Sequence, residues 1–181
     1  MSESETMSDT PIVDLTLDAL RNVLQQVGYR VEEVTDPVAN LAYLRSATGG
    51  LAFDVRPGNR LVDGDGFVDV AFTAVLQIQG ELPLDLINRW NATRRFARLQ
   101  LSQQFLVFSQ DVSVAGGVMP NHLRAQIEIW DRLVQELIAY LRDELRQLTA
   151  TTNSATSDAA DAKPTPERES ATKAAAPATI Q

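Results

Sequence analysis

The stretch that decides the fold is Asn88-Arg-Trp-Asn-Ala-Thr-Arg-Arg-Phe-Ala-Arg98, which continues through an apolar run to Asp111 and ends at Gly116-Gly117-Val118. Its pattern predicts the end of one helix, two strands and a glycine turn that starts a long helix. The two predicted strands are Phe96–Ser102 and Phe105–Gln110, with a possible extension of the second strand toward Val114. A short turn joins them, so we expect a β-hairpin.

The chain after the glycine turn has the most regular apolar pattern in the sequence. Its apolar residues step by 4, 3, 4, 3, 4 and 7 positions and are Leu123, Ile127, Trp130, Val134, Leu137, Leu141 and Leu148. This spacing places them on one face of a helix that is roughly 40 Å long. Because such a helix exceeds what the sheet of a small domain needs, we expect its far end to meet a second subunit.

The chain before the hairpin predicts two helices and several strands. A first helix, capped by Asp14 or Thr16, carries apolar residues at helical spacing and stops at Gly28. A second helix begins near Pro83, which suits a first helical turn. Between the two helices lie a candidate short strand and three further strands, which are Tyr29–Val34, Leu41–Ser46, Leu51–Arg56 and Val68–Gln79. The last of these alternates apolar and other residues over the longest run, so we expect it at the centre of the sheet.

These elements predict an α+β domain with an antiparallel sheet of about five strands and helices packed on it, in the order α-βββ-α-ββ-α. The domain spans residues 12–148. Residues 1–11 and the Ala/Thr/Pro-rich tail 149–181 contain few large apolar side chains. Because such segments bury too little surface to offset the entropy of ordering, we expect both to be disordered.

The composition excludes several classes of function. The chain has 181 residues, no cysteine and a net charge of −8. Thiol catalysis and thiolate metal sites are therefore excluded, and the acidic charge argues against nucleic-acid binding through bulk charge. No apolar run of about 18 residues is present, so we expect no membrane span. With no signal peptide visible at the N-terminus, we expect a cytoplasmic location.

The hairpin and its flanks resemble a known family. The motif residues are Asn88, Asn91, Arg95-Phe96-Ala97, Asp111 and Gly116-Gly117-Val118, followed by a helix that carries Trp130. They resemble the YbjN domain family, which is described as bacterial sensory transduction regulators with a fold similar to type III secretion chaperones. The resemblance is specific over residues 82–145 and topological over residues 12–81. It implies a small bacterial protein-interaction domain, homodimeric, with structural roles for these motif residues and no catalytic residues to transfer.

Four arginines in ten residues form the strongest candidate binding feature: Arg89, Arg94, Arg95 and Arg98. One interpretation is a solvated helix end followed by one face of a strand. The other is a surface that contacts an acidic peptide, because guanidinium groups bind carboxylates in a two-pronged geometry. That hypothesis predicts that Arg94 and Arg98 lie on one exposed patch.

The remaining motifs favour structural roles. His122 is the only histidine and has no ligand partner three or four positions later. The run Asp63-Gly-Asp-Gly66 lacks the later ligands of a calcium loop, so it predicts a turn. Gly116-Gly117 predicts a tight turn with positive φ rather than a phosphate loop. Asn88 and Asn91 are expected to hold a loop through side-chain hydrogen bonds to the backbone, tying their helix to the glycine turn or to the hairpin.

The sequence therefore predicts a non-enzymatic, chaperone-like or regulatory domain that binds a protein, with no cofactor and no metal. The alternative is a regulator that senses a small molecule in a cleft between the sheet and the helices, which an apolar pocket with a few convergent polar groups would favour. An enzyme is the third hypothesis, and an acidic cluster with perturbed titration would favour it.

Overall fold

The computed structural model describes residues 10–160 and 179–180. The elements along the chain are α1 (Leu17–Gln26), β1 (Glu32–Thr35), β2 (Ala42–Thr48), β3 (Leu51–Pro57), β4 (Asp69–Gln79), α2 (Leu84–Thr93), β5 (Arg98–Ser102), β6 (Phe105–Ser113), α3 (Pro120–Ala160) and β7 (Thr179–Ile180). The predicted α+β class is confirmed. The expectation of about five strands is corrected, because the short β1 pairs with β2 as a full edge strand and four strands precede α2.

The strands form one antiparallel sheet in the order β1-β2-β3-β4-β6-β5, and β7 pairs with β4 outside this path. The longest strand, β4, lies inside the sheet between β3 and β6. Its burial alternates with a period of two, as its sequence predicts. The sheet therefore has one buried face and one face that the helices leave uncovered.

The helices cover the buried face with an aromatic core. Trp130 of α3 packs against Phe53 of β3 and Phe108 of β6, with ring centroids 5.6 Å and 5.2 Å apart. Trp90 of α2 packs edge-on against the same Phe108 at 5.5 Å. Leu24 of α1 belongs to the same cluster. All three helices thus share one core on one side of the sheet.

The ends of α1 follow from local chemistry. The Thr16 hydroxyl accepts a hydrogen bond from the Ala19 N–H at 3.1 Å, so Thr16 rather than Asp14 is the N-cap. At the other end Gly28 adopts a φ of +96°. Gly28 and Tyr29 donate their N–H groups back to the carbonyls of the last turn, both at 3.0 Å. This Schellman motif turns the chain toward β1.

Several predicted boundaries differ from the structure. The strand expected over Tyr29–Val34 is Glu32–Thr35, and the one expected over Leu41–Ser46 is Ala42–Thr48. The strand expected to start at Phe96 starts at Arg98, and Phe96 instead has a φ of +73° in the turn that leaves α2. The tail expected to be disordered from Thr149 continues α3 as far as Ala160. Extending an existing helix costs far less than nucleating one, and this segment contains neither proline nor glycine. The predictions for residues 1–9, 161–178 and 181 fall outside the described residues.

Candidate functional site

The uncovered face of the sheet, here the open face, is formed by the outward side chains of the strands. At its centre lie Ala71, Thr73 and Val75 of β4 beside Val107 and Ser109 of β6. None of the three described helices packs on this face, because the buried apolar residues of all three belong to the core on the other side. The open face is therefore a regular surface that the described helices leave available.

The middle of the open face is uncharged, and its apolar part consists of Val75, Val107 and Phe105. Val75 is 53% exposed, and Val107 opposite it is half-buried. Phe105 continues this surface and is 36% exposed. Ser109 is buried on the same face, and its hydroxyl has no hydrogen-bond partner among the described residues. A patch of this kind, bordered by charged groups, is typical of a protein contact surface.

Ion pairs border this patch on two sides. On β2 and β3, Arg45 donates to Asp54 at 2.8 Å, and Arg56 donates to the same carboxylate at 3.0 Å. On β5 and β6, Arg98 donates to Asp111 across the hairpin. These arginines and carboxylates are therefore paired with one another, which leaves the centre of the open face without an unpaired charge from them.

A groove of about 850 Å³ opens where β1 begins. The ladder between β1 and β2 starts only at Glu32–Arg45, so the preceding Tyr29–Val31 lie beside β2 without ladder pairs. The Ser46 hydroxyl instead donates to the Arg30 carbonyl at 2.8 Å. This separation of the two strands creates the groove.

Three polar side chains converge in the groove. Tyr29 donates to the Asp131 carboxylate of α3 at 3.1 Å, and Thr48 donates to the same oxygen. The pKa of Tyr29 is raised to about 12. Burial of the hydroxyl is the largest cause, and the nearby Asp131 carboxylate adds to it, whereas the hydrogen bond with Thr48 lowers the pKa. Tyr29 is therefore a protonated donor throughout the physiological range. The groove offers an apolar wall with a carboxylate and two hydroxyls, which suits a small polar ligand.

Two of the four predicted partner-binding arginines face the helical layer. Arg89 donates to Asp85 one turn earlier and to Glu144 of α3. The Arg94 Nε lies 3.1 Å from a carboxylate oxygen of Glu136 on α3, and the Arg94 guanidinium lies over the Trp90 ring. Each therefore binds carboxylates of its own chain and helps to hold α2 against α3.

The other two predicted arginines lie beyond α2. The Arg95 guanidinium lies over the Phe96 ring, 5.4 Å from the ring centroid, and Phe96 is 59% exposed. Arg98 lies on the open face, because its neighbour Leu99 is buried beneath the helices. The structure thus places Arg94 and Arg98 on opposite sides of the sheet rather than on one patch. Their role in binding a partner stays a prediction.

Asn91 closes the outer edge of the sheet. Its side-chain amide donates to the Leu99 carbonyl at 2.8 Å and accepts from the Leu99 N–H at 2.9 Å. The amide thus takes the place of a neighbouring strand along β5. Asn88, by contrast, is exposed. Of the two asparagines, Asn91 makes the expected hydrogen bonds, and they attach α2 to β5, the first strand of the hairpin.

The remaining predicted residues have structural surroundings. Trp130 is fully buried, and Asp111 is the partner of Arg98 on the exposed side of β6. Gly116 and Gly117 have φ values of +84° and +88°, in the predicted tight turn. The next residue, Val118, exchanges backbone hydrogen bonds with Ile12 at 2.7 Å and 2.9 Å. The glycine turn therefore ties the start of the domain to the start of α3.

The described residues include no group of three or more His, Asp or Glu side chains arranged to hold a metal ion. His122 lies half-buried in the first turn of α3, and Asp63 and Asp65 lie exposed in the loop before β4. A search for membrane spans finds no described helix with the length and hydropathy to cross a bilayer.

Sequence reasoning missed Asp131 and the groove around it. Asp131 follows Trp130, whose apolar spacing drew attention to the core, and no local pattern joins Asp131 to Tyr29 about one hundred residues earlier. The only usable signal was a carboxylate next to the apolar stripe of a helix. Such a residue lies at the border of the core, where it can meet buried hydroxyls.

Comparison with known proteins identifies a family. A family model described as "YbjN: Putative bacterial sensory transduction regulator" matches residues 16–143. This match covers α1 to the middle of α3, including the open face, the groove and the hairpin. No curated protein and no solved structure matches the chain.

Proposed function

The chain belongs to the YbjN family, and on this premise we propose that it is a non-enzymatic regulatory domain that binds a protein partner on its open face. Binding is chaperone-like in this proposal: the domain holds a segment of the partner and performs no chemistry on it. We place this role in the bacterial cytoplasm.

The observation that supports the proposal is the asymmetry of the sheet. Every helix packs on one face, while the other presents Val75, Val107 and Phe105 in a neutral centre bordered by ion pairs. A sheet face that only had to meet water would carry polar side chains at these central positions. An exposed apolar centre with a charged border is the usual anatomy of a protein contact surface.

Capture experiments with two matched valine variants test this proposal. Val75→Asp places a charge at the centre of the open face, and Val38→Asp places the same charge in the β1–β2 turn, where the valine is 95% exposed. We expect Val38→Asp to change the free energy of unfolding by at most about 0.5 kcal/mol. Val75→Asp is expected to lower it by about 1 kcal/mol, because aspartate is disfavoured inside a strand, so both variants stay folded. We expect the parent and Val38→Asp to retain the same specific partners from a bacterial lysate, and Val75→Asp to lose them. Equal capture by all three proteins would contradict the proposal.

We also propose that the domain is a homodimer, in which the far part of α3 contacts a second copy. The last buried side chain described on α3 is Leu141, whereas the helix continues to Ala160. Light scattering after size exclusion is expected to give twice the chain mass. A monomer across a broad concentration range would refute the dimer and leave the open-face proposal intact.

The groove supports a second candidate function, a regulator that senses a small molecule. The supporting observation is the convergence of Tyr29, Thr48 and Asp131 on one side of a cavity large enough for a metabolite. A thermal-shift screen of small polar molecules tests it, because a ligand that binds only the folded state raises the melting temperature. A hit that stabilises the parent but not Asp131→Asn would support this function. Equal stabilisation of both proteins would place the ligand elsewhere.

A further inference from the structure

The strand β4 has neighbours of unequal length. Its ladder with β6 runs from Asp69 to Gln77, whereas its ladder with β3 runs only from Val70 to Thr73. Beyond Thr73, β4 therefore has an edge on the side that β3 leaves at which no other named strand pairs, among the described residues, before β7 at Ile78 and Gln79. We call the segment Val75–Gln79 on that side the free edge of β4.

The turn between β2 and β3, on the β3 side of this edge, lies against α3. Gly49 in that turn packs so closely on α3 that a Cβ placed there would lie 2.6 Å from the Gln135 side chain and 3.1 Å from Ile138. Gly49 also has a φ of +58°. The β2–β3 hairpin therefore contacts α3 at the end where its ladder with β4 has stopped.

The backbone groups of the free edge alternate in direction. The Ile78 N–H donates to the Gln104 carbonyl at 2.8 Å, on the side of β6. In an antiparallel strand successive residues point their backbone groups to opposite sides. The N–H and C=O groups of Val75, Gln77 and Gln79 therefore face the side that β3 leaves, where a further strand can pair with them.

A segment of this same chain already occupies part of the free edge. Thr179 pairs with Gln79 and Ile180 with Ile78, in antiparallel register. Because Gln104 uses the Ile78 N–H, β7 lies on the other side of β4, in the gap left by β3. The same alternation directs the N–H and C=O of Thr179 at Gln79. The two pairs leave Val75 and Gln77 without strand partners on this side among the described residues.

We propose that the free edge of β4 is a strand-addition site for an extended, uncharged peptide with β-branched residues, and that Thr179–Ile180 masks this site in the free chain. The inference rests on the proposed protein-binding function and names the partner's chemistry. Main-chain hydrogen bonds supply affinity in this mode of recognition, and alternate side chains supply specificity. The open-face side chains along the edge are Val75, Gln77 and Gln79, which carry no charge. The segment seated there, Thr179–Ile180, is likewise uncharged and β-branched, as strand positions prefer.

The test uses the full chain, the variant Thr179→Pro and the control Thr179→Ala. Proline removes the N–H that faces Gln79, whereas alanine truncates the side chain and keeps the N–H. Backbone hydrogen exchange is followed by NMR at Gln79, with Ile78 as an internal reference because Gln104 accepts its N–H. We expect Thr179→Pro to accelerate exchange at Gln79 by at least about tenfold, with Ile78 unchanged and Thr179→Ala close to the parent.

The second readout is binding of a synthetic peptide with the sequence of residues 174–181, AAAPATIQ. We expect this peptide, at millimolar concentration, to shift the amide signals of Gln77 and Gln79 in Thr179→Pro, and to shift them less in the parent, where the site is masked. Exchange at Gln79 that is equally fast in all three proteins, or no peptide-induced shift in Thr179→Pro, would overturn the inference. Partner capture that still depends on Val75 would then leave the proposed function standing, so the two failures are distinguishable.

Discussion

The two faces of the sheet differ in what their side chains contact. On the covered face, Phe53 and Phe108 both contact Trp130, and all three side chains are fully buried. On the open face, Val75 is half exposed, and the charged residues Arg98 and Asp111 pair across the hairpin in contact with water. The same strands supply both faces, because successive side chains of a strand point to opposite faces of the sheet. Residues that stabilise the fold therefore alternate with residues that meet the surroundings. We therefore expect substitutions on the covered face to change the free energy of unfolding and those on the open face to change binding.

The largest expected effect is the loss of the covered-face tryptophan. Trp130→Ala removes ring contacts with Phe53, Phe72 and Phe108 and leaves a cavity beneath α3. We expect the free energy of unfolding to fall by about 3–5 kcal/mol in urea denaturation. Trp130→Phe keeps an aromatic ring, so its free energy of unfolding is expected to fall by less. A loss under about 1 kcal/mol for the alanine variant would break the comparison, because surface positions typically show changes of that size.

The next effect lies at the outer edge of the sheet, where α2 reaches around β5. Asn91→Ala leaves the Leu99 N–H and C=O without their side-chain partners. We expect the free energy of unfolding to fall by about 1–3 kcal/mol. Asn88→Ala is the matched control, since it makes the same change at an exposed position three residues earlier. Equal losses of unfolding free energy in the two variants would show that the hydrogen bonds between Asn91 and Leu99 do not stabilise this edge of the sheet.

The groove is expected to make the free energy of unfolding depend on pH through Tyr29. The pKa of Tyr29 is raised from 10.0 to about 12, mainly by burial. The folded state therefore holds this proton more tightly than the unfolded state. The resulting stability is fully present below pH 10 and is lost as the pH rises toward 12. Urea denaturation between these pH values is expected to show a steeper loss for the parent than for Tyr29→Phe, and parallel losses would contradict the assignment.

The smallest expected effect is the open-face ion pair. Arg98→Ala breaks the pair with Asp111, whose two side chains are both more than half exposed. Exposed ion pairs contribute about 0–1 kcal/mol, so we expect a change within that range in urea denaturation. Raising the salt concentration is expected to narrow the difference further. A loss as large as that of Asn91→Ala would show that the open face also carries stability.

Much of this architecture could be predicted from local patterns. The alternation along β4, the stop at Gly28 and the apolar stripe of α3 each depend on neighbours within a few turns or strand positions. The positive φ of Gly116 and Gly117 also follows from residue type. These features give the element order and the core because the physics that fixes them is local.

The features that carry the proposals depend on tertiary contacts. The free edge of β4 exists because its ladder with β3 is shorter than its ladder with β6, and no pattern within β4 reveals where its neighbours end. The groove needs Asp131 beside Tyr29, and the sheet edge needs Asn91 beside Leu99. The extension of α3 past Thr149 reflects helix propagation from a packed segment, which composition alone does not reveal.

The central claim is that the open face is where a protein partner binds. Site-specific photocrosslinking in cells tests it most directly, with the crosslinking residue introduced at position 75 in one variant and at position 38 in the other. Both positions hold exposed valines, but only position 75 lies on the open face. We predict a discrete crosslinked product with a protein other than this chain from position 75 and none from position 38. Products from position 38 alone, or a second copy of this chain as the only product from position 75, would contradict the claim.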